Sequence, residues 1–280
     1  MSLYLFLVSR NYLLNKEPLP KDEHDRTCEL GKTFMGPTMR MKNEFDNRLY
    51  AVKYMSIEEL VFNQIEIHDI MQEVIKLKKL SHPNIGKYYA FMYDEKKISI
   101  VAELVECDSI KSKIIDVNVT LTDKIKWFKQ IASTLNYLHN MGIEHRNLTP
   151  ANIFVTDDGN IKITNFRVPY RTGIKSNVGQ VGCNIYDSYE KANDIPFDAR
   201  NDIWALGCIM AELITGSTLK SRGGAIYLYT NPKANDRRLK LIEDCKTIHT
   251  HCGQIISKML EGEQVYRCTT EQLMIALNNI

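Results

Sequence analysis

The spacing at which apolar residues recur changes along this chain, and that change restricts the fold more than any other feature. Leu49, Ala51 and Lys53 alternate with Tyr50, Val52 and Tyr54, the two-residue period of a strand with distinct faces. Ile67, Ile70, Val74 and Leu77 then recur at helical spacing, and Ser81-His-Pro-Asn84 supplies the turn that ends the helix. Strand-like runs follow at Lys87 to Met92 and Ile98 to Leu104, separated by the polar Asp94-Glu-Lys-Lys97. From about Val105 helices dominate. Ile125, Phe128, Ile131, Ala132, Leu135 and Leu138 form one apolar face that stops at Met141-Gly142, and a later helix runs through Ile203, Leu206, Met210 and Leu213 to Gly216. Between these helices, Ile153 to Val155 and Ile161 to Ile163 read as short strands joined through Asp157-Asp-Gly-Asn160. The pattern predicts an α+β fold: a small β-rich lobe with one helix over 27–105, a larger mainly helical lobe over 106–280, and a seam near 103–108. Residues 1–26 read as an N-terminal extension, largely polar and charge-rich after residue 8.

Composition narrows the function classes. With 280 residues and 44% hydrophobic content the chain can bury a substantial core, which excludes a disordered or fibrous protein. Lys and Arg total 36 against 34 acidic residues with no basic block, so no nucleic-acid partner is expected. Seven scattered cysteines lack the density of a disulfide scaffold and suit a reducing compartment, the cytoplasm or the nucleus. Tyr4-Leu-Phe-Leu-Val8 is apolar, but no basic region precedes it and Arg10 follows closely, so it reads as a packed segment, not a signal peptide. No run approaches the roughly 18 apolar residues of a membrane span.

Chemistry-bearing residues occur in an informative order. Phosphoryl transfer from a nucleotide needs a backbone cradle, a cation on the phosphates, metal-binding oxygens and a group that orients the attacking hydroxyl. Gly31-Lys-Thr-Phe-Met-Gly36 can supply the cradle, Ala51-Val-Lys53 the cation, Glu73 its helix-borne partner, and His145-Arg-Asn147 with Asn152 the catalytic loop. One spaced glycine pair is a weak signal, whereas many matches in order are strong.

On these residues the sequence resembles the eukaryotic protein kinase family over residues 27–280, of serine/threonine type by Leu148-Thr-Pro150 and His82-Pro-Asn84. Further matches are Gln72 to Ile85, similar to the family's αC helix and the turn after it, Tyr137-Leu-His139, and Asp202-Ile-Trp-Ala-Leu-Gly207. The resemblance implies an ion pair between Glu190 and Arg267 and a stack of Leu77, Tyr88, His145 and Phe166 anchored by Asp202. It assigns ATP to Gly31, Thr33, Gly36, Ala51, Lys53, Glu73, Ala102, Glu103, Val105 and Phe154, and a weakened or absent Mg²⁺ to Asn152 and Asn165. Ala102 falls at the gatekeeper position, and Phe154 and Thr38 stand where aliphatic residues usually enclose the adenine.

The departures from the family concentrate on charge. Asn147 replaces the catalytic aspartate, and an amide cannot accept the substrate proton, a role typically worth 10²–10⁴-fold. Thr149 replaces the loop lysine. Asn165-Phe166-Arg167 replaces Asp-Phe-Gly, which removes the anionic oxygen that hard cations prefer. Thr33 replaces a phosphate-loop glycine, Cys183 a threonine of the same polar network, and Ser188-Tyr189 an Ala-Pro pair. The expectation is a pseudokinase that acts by binding a protein, such as an active kinase or another signalling protein. A slow or unconventional kinase that orients its substrate through Asn147, and a nucleotide-blind scaffold, are the alternatives.

Three other features have two readings each. Arg146 either receives an activation-segment phosphate, on Thr172 or Ser176, or caps buried carbonyls. Cys245, His249 and Cys252 would share a helix face if one helix ran through them, which admits a zinc site, but at the family's helix H such residues serve packing. Arg237-Arg238 reads as solvated surface.

Overall fold

A computed structural model describes residues 29–33, 36–43, 45–167, 185–193, 195–219 and 234–280. The N-terminal extension, Cys183, Thr172 and Ser176 lie outside the described residues. The described chain divides into two compact units, residues 29–106 and residues 107–167 with 185–280.

The first unit is an antiparallel five-stranded sheet of β1 (Glu29–Thr33), β2 (Gly36–Lys42), β3 (Leu49–Ser56), β4 (Tyr88–Tyr93) and β5 (Lys97–Glu103), in the order β1-β2-β3-β5-β4. Alternation along β3 sorts its side chains onto two covered faces. Tyr50 and Val52 join Met41, Ala90 and Val101 on one face, and Tyr50 meets Tyr89 edge-on with ring centroids 5.3 Å apart. On the other face Met55, Phe91, Ile98 and Ile100 pack with Ile70 and Val74 of α2 (Ile67–Lys78). A short helix not expected from the sequence, α1 (Ile57–Phe62), follows β3 directly, so the unit carries two helices. Its Leu60 joins the α2 core while Val61 and Phe62 are exposed. Six residues with one buried position are too few for a helical period to register.

The second unit contains α3 (Ile110–Lys113), α4 (Leu121–Asn140), the hairpin β6 (Ile153–Val155) and β7 (Ile161–Ile163), α5 (Tyr189–Ala192), α6 (Arg200–Thr215), α7 (Ala234–Ile248), α8 (Thr250–Met259) and α9 (Thr270–Leu277). A reciprocal cap opens α4, where Thr120 Oγ1 accepts from the Asp123 amide and Asp123 Oδ2 accepts from the Thr120 amide. The same helix anchors the hairpin: Trp127 Nε1 donates to the Gly159 carbonyl and the Ile161 amide donates to Gln130 Oε1. Helix α6 is buried from Asn201 to Ile214, which explains its almost continuous apolar sequence. Arg267 lies fully buried against it, stacked over Trp204 at 4.9 Å and bonded to both oxygens of Glu190 at 2.8 and 2.9 Å, the ion pair implied by the family resemblance.

One expected helix is two. The chain breaks at His249, whose Nδ1 accepts the Cys252 amide and so caps α8. Cys245 and Cys252 are buried on successive helices, so the shared face required for a zinc site does not exist. Among the described residues no His, Cys, Asp and Glu cluster could hold a metal ion.

Glu212 of α6 ties three segments together, accepting from Tyr186 Oη at 2.9 Å and from the Leu219 amide at 2.6 Å. Burial raises its carboxyl from 4.5 to about 7, against the lowering effect of those two bonds. The folded protein therefore holds this proton more tightly than the unfolded chain. The associated stability is present below about pH 4.5 and is lost as pH rises through about 7. Glu212→Gln keeps the shape and removes the titration. Urea unfolding should show the variant gaining on the wild type between pH 5 and pH 8, by on the order of 2 kcal/mol.

Candidate active site

The loop from Glu144 to Asn152 is built around one buried carboxylate. Asp202, near the start of α6, accepts from the His145 amide at 2.8 Å, the Arg146 amide at 2.9 Å and His139 Nε2 at 3.0 Å. Burial alone would raise its pKa, but the hydrogen bonds it accepts from His139 and from the His145 amide more than offset this, and the carboxyl sits below its usual range. His145 is fully buried. Its Nε2 faces the Thr164 carbonyl at 3.0 Å and its Nδ1 accepts from the Asn147 amide at 3.2 Å, an arrangement that requires the neutral ring with its proton on Nε2. Burial lowers its pKa to about 4, in agreement. The ring packs against Phe166, tilted by 46° with centroids 4.5 Å apart, so His145 is a packed structural residue and not a base. Leu77 and Tyr88, assigned to the same stack by resemblance, belong to the core of the first unit.

Arg146 occupies the left-handed region at φ 57°, a conformation that costs a non-glycine residue on the order of 1 kcal/mol. Both of its backbone groups are held. The amide donates to Asp202, and the carbonyl accepts from Lys191 Nζ at 2.6 Å. Lys191 in turn pairs with Asp187, and both side chains are only 7% exposed. The Arg146 side chain bonds Glu144 through Nε at 2.9 Å, which makes it part of the loop's own structure.

Asn147, Asn152 and Asn165 are brought together in a closed circuit. Asn147 Nδ2 donates to the Asn165 carbonyl at 2.9 Å, Asn165 Nδ2 donates to Asn152 Oδ1 at 3.0 Å, and Asn152 Nδ2 donates to the Asn147 carbonyl at 2.7 Å. Asn165 sits at φ 60°, where asparagine is among the best tolerated residues after glycine. Thr149 precedes the 3-10 turn Pro150–Asn152 and accepts the Asn152 amide through its carbonyl at 3.0 Å. Phe154 is half-buried on β6, opposite Lys162 and bridged to Ser109.

In the first unit, Ala51 of β3 and Ala102 of β5 are direct cross-strand partners, so both small side chains lie on one face. Lys53 pairs across with Ile100 on that same face, the one covered by α2. Glu73 is one turn from Ile70 on α2, its side chain only 15% exposed, with Lys76 Nζ at 3.7 Å. Glu103 is used structurally: its Oε2 accepts the Lys87 amide at 2.9 Å and its own amide donates to the Lys87 carbonyl at 2.8 Å. Val105 is half-buried just beyond β5, and Thr38 stands opposite Lys53 on β2. Thr33 pairs with Gly36 at the end of the β1–β2 ladder, while Phe34, Met35 and the Thr33 side chain lie outside the described residues.

The protein kinase domain model matches residues 25–276. The chain belongs to the protein kinase family. It is 32% identical over 173 residues to the mouse sperm motility kinase Tcr mutant form, covering 59% of this chain and 35% of that protein. It is 31% identical over 188 residues to cytokinesis protein sepH of Aspergillus niger (67% and 14%), and 27% identical over 199 residues to mouse serine/threonine-protein kinase Nek1 (69% and 16%). The matched region thus spans about a third or less of each of these relatives. The crystal structure of Rad53 1-466 in complex with AMP-PNP superimposes with a TM-score of 0.68 at 20% identity, covering 96% of this chain and 64% of that one, which establishes the fold.

Two residues that hold this kinase domain's loop from outside it were not legible in the sequence. Lys191 and Asp187 are spaced i, i+4 around the start of a four-residue helix, a pattern indistinguishable from a surface pair until burial is known. Ser188, read only as a departure, caps that helix, its Oγ accepting from the Lys191 amide at 3.5 Å.

The two glycines that the family resemblance assigns to a phosphate loop, Gly31 and Gly36, also differ physically. A Cβ on Gly36 would lie 2.5 Å from the Tyr54 carbonyl oxygen and φ there is 139°, whereas a Cβ on Gly31 meets nothing within 4 Å. Gly36→Ala should therefore lower stability by about 1–3 kcal/mol in chemical denaturation, with Gly31→Ala near neutral.

Proposed function

We propose that this kinase domain is a pseudokinase: it transfers phosphate poorly or not at all and acts in signalling by binding another protein, such as an active kinase. The observation that carries this reading is the neutral amide at both 147 and 165, with each amide nitrogen hydrogen-bonded within the loop. Phosphoryl transfer relies on a carboxylate to position and deprotonate the hydroxyl and on anionic oxygens to hold the metal that neutralises the phosphates. Thr149 also withholds the cation a serine/threonine kinase supplies there. The chemistry is thus short of two anions and one cation on a scaffold that is otherwise firmly held.

Nucleotide binding is a separate part of the proposal. Within the first unit, the small Ala51–Ala102 face, Lys53 with Glu73 on the α2 side of the sheet, the constrained Gly36, and Glu103 and Val105 are the residues that would hold ATP. Lys53 would supply the charge on the phosphates and Glu73 would orient it. Mg²⁺ does not fit the residues present: its two assigned ligands are neutral, and Asn152 Oδ1 already accepts a hydrogen bond from Asn165.

The test is a comparison of wild type and Lys53→Met with Mg·ATP and a general protein substrate, alongside melting curves with ATP. The expected outcome is no transfer above the Lys53→Met background together with an ATP-dependent rise in melting temperature that Lys53→Met abolishes. Phosphate transfer lost in Lys53→Met would overturn the pseudokinase reading, and an unchanged melting temperature in saturating ATP would overturn the nucleotide reading alone.

A further inference from the structure

The direction of each hydrogen bond in the asparagine circuit is fixed by chemistry. The Asn147 carbonyl can only accept, so Asn152 must turn its NH₂ towards it. The Asn152 oxygen then faces residue 165, and only a donor can satisfy it, which Asn165 Nδ2 provides at 3.0 Å. The Asn165 carbonyl is satisfied in the same way by Asn147 Nδ2. Every link is therefore a donor meeting an acceptor, and the circuit closes through uncharged groups.

We infer that the Asn147–Asn152–Asn165 circuit takes the structural place of a divalent cation, locking the Asn165-Phe166 turn to the catalytic loop so that this site keeps its geometry without metal and does not recruit one. A carboxylate at 165 would break the logic. It offers no hydrogen to Asn152 Oδ1, and rotating the Asn152 amide to donate to it would turn that oxygen against the Asn147 carbonyl. Two acceptors then face one another at one link or the other, a conflict that a cation between them relieves. Asparagine at 165 removes both the conflict and the attraction for metal. The inference concerns the site of the proposed function but needs no nucleotide, so a chain that fails to bind ATP still decides it.

The experiment melts wild type and Asn165→Asp in EDTA and in millimolar Mn²⁺ or Mg²⁺, without nucleotide. Wild type is expected to melt at one temperature in all three solutions. Asn165→Asp is expected to melt lower in EDTA, by about 3 °C or more for a chain of this size, and to recover at least half of that loss in Mn²⁺. An Asn165→Asp protein as stable as wild type in EDTA, or one whose loss Mn²⁺ leaves unrepaired, overturns the inference. Should the variant yield no folded protein, wild type decides alone: Mn²⁺ should leave the Asn147, Asn152 and Asn165 side-chain NH₂ signals in the NMR spectrum unbroadened, and selective broadening of those signals overturns the inference.

Discussion

The active-site half of this kinase domain hangs on the carboxylate of Asp202. It is 1% exposed and accepts three hydrogen bonds, two of them from consecutive amides of the catalytic loop. Consecutive amides point at one oxygen pair only when the backbone bends sharply, and the bend places Arg146 in the left-handed region. A buried carboxylate without donors would be strongly destabilising, so loop and helix hold each other in place: α6 needs the loop amides and the loop needs the α6 anion. His145 follows as a consequence. With its amide committed to Asp202, its ring is driven into the core, where neutrality is enforced and Phe166 packs against it.

Lys191 meets the second demand of the same bend. Turning Arg146 into the left-handed region directs its carbonyl inward, where an unpaired oxygen would be costly. A buried ammonium answers the carbonyl, and Asp187 answers the ammonium. Burial depresses the Lys191 pKa and Arg167 adds to that effect, while the Asp187 carboxylate opposes both. Charges are therefore abundant around this loop, but Asp202, Lys191 and Asp187 are spent on holding its backbone. None of the three stands at the positions where the family places its transferring groups.

Much of the fold was legible in the sequence because it is written in period and punctuation. The strand alternation of β3, the helical stripe of α2, the β6–β7 turn and the α6 stop at Gly216 all emerged within a residue or two of their observed limits. What was missed was short or depended on burial. Helix α1 has too few turns to show a period, and the α7–α8 break depends on a histidine acting as a cap, a role any local reading would give first to Ser, Thr, Asp or Asn. For the site, the residues at 147, 149 and 165 disclosed the missing charges but not their replacement. An asparagine read alone is a lost carboxylate; only its neighbours' donors and acceptors show that it is also a gained NH₂.

That gain changes what the substitutions mean physically. An aspartate presents acceptors alone, so aspartates at 147 and 165 would crowd a region that already contains the carbonyls of Asn147 and Asn165 and the Asn152 oxygen. Such an arrangement is held together by a cation and is incomplete without one. Each change from Asp to Asn adds two hydrogens to a cluster short of donors, and the three amides account for all three links. The half-buried setting matters as well, because partial exclusion of water makes each satisfied link count for more than it would on an open surface. A loop that must sit over a metal is thereby converted into one that is complete by itself, with the same Asp202 anchor beneath it. On the proposed reading, the geometry of such a site and the charge needed for phosphoryl transfer are separable: Asp202 and the three amides hold the first, and the residues at 147, 149 and 165 do not carry the second.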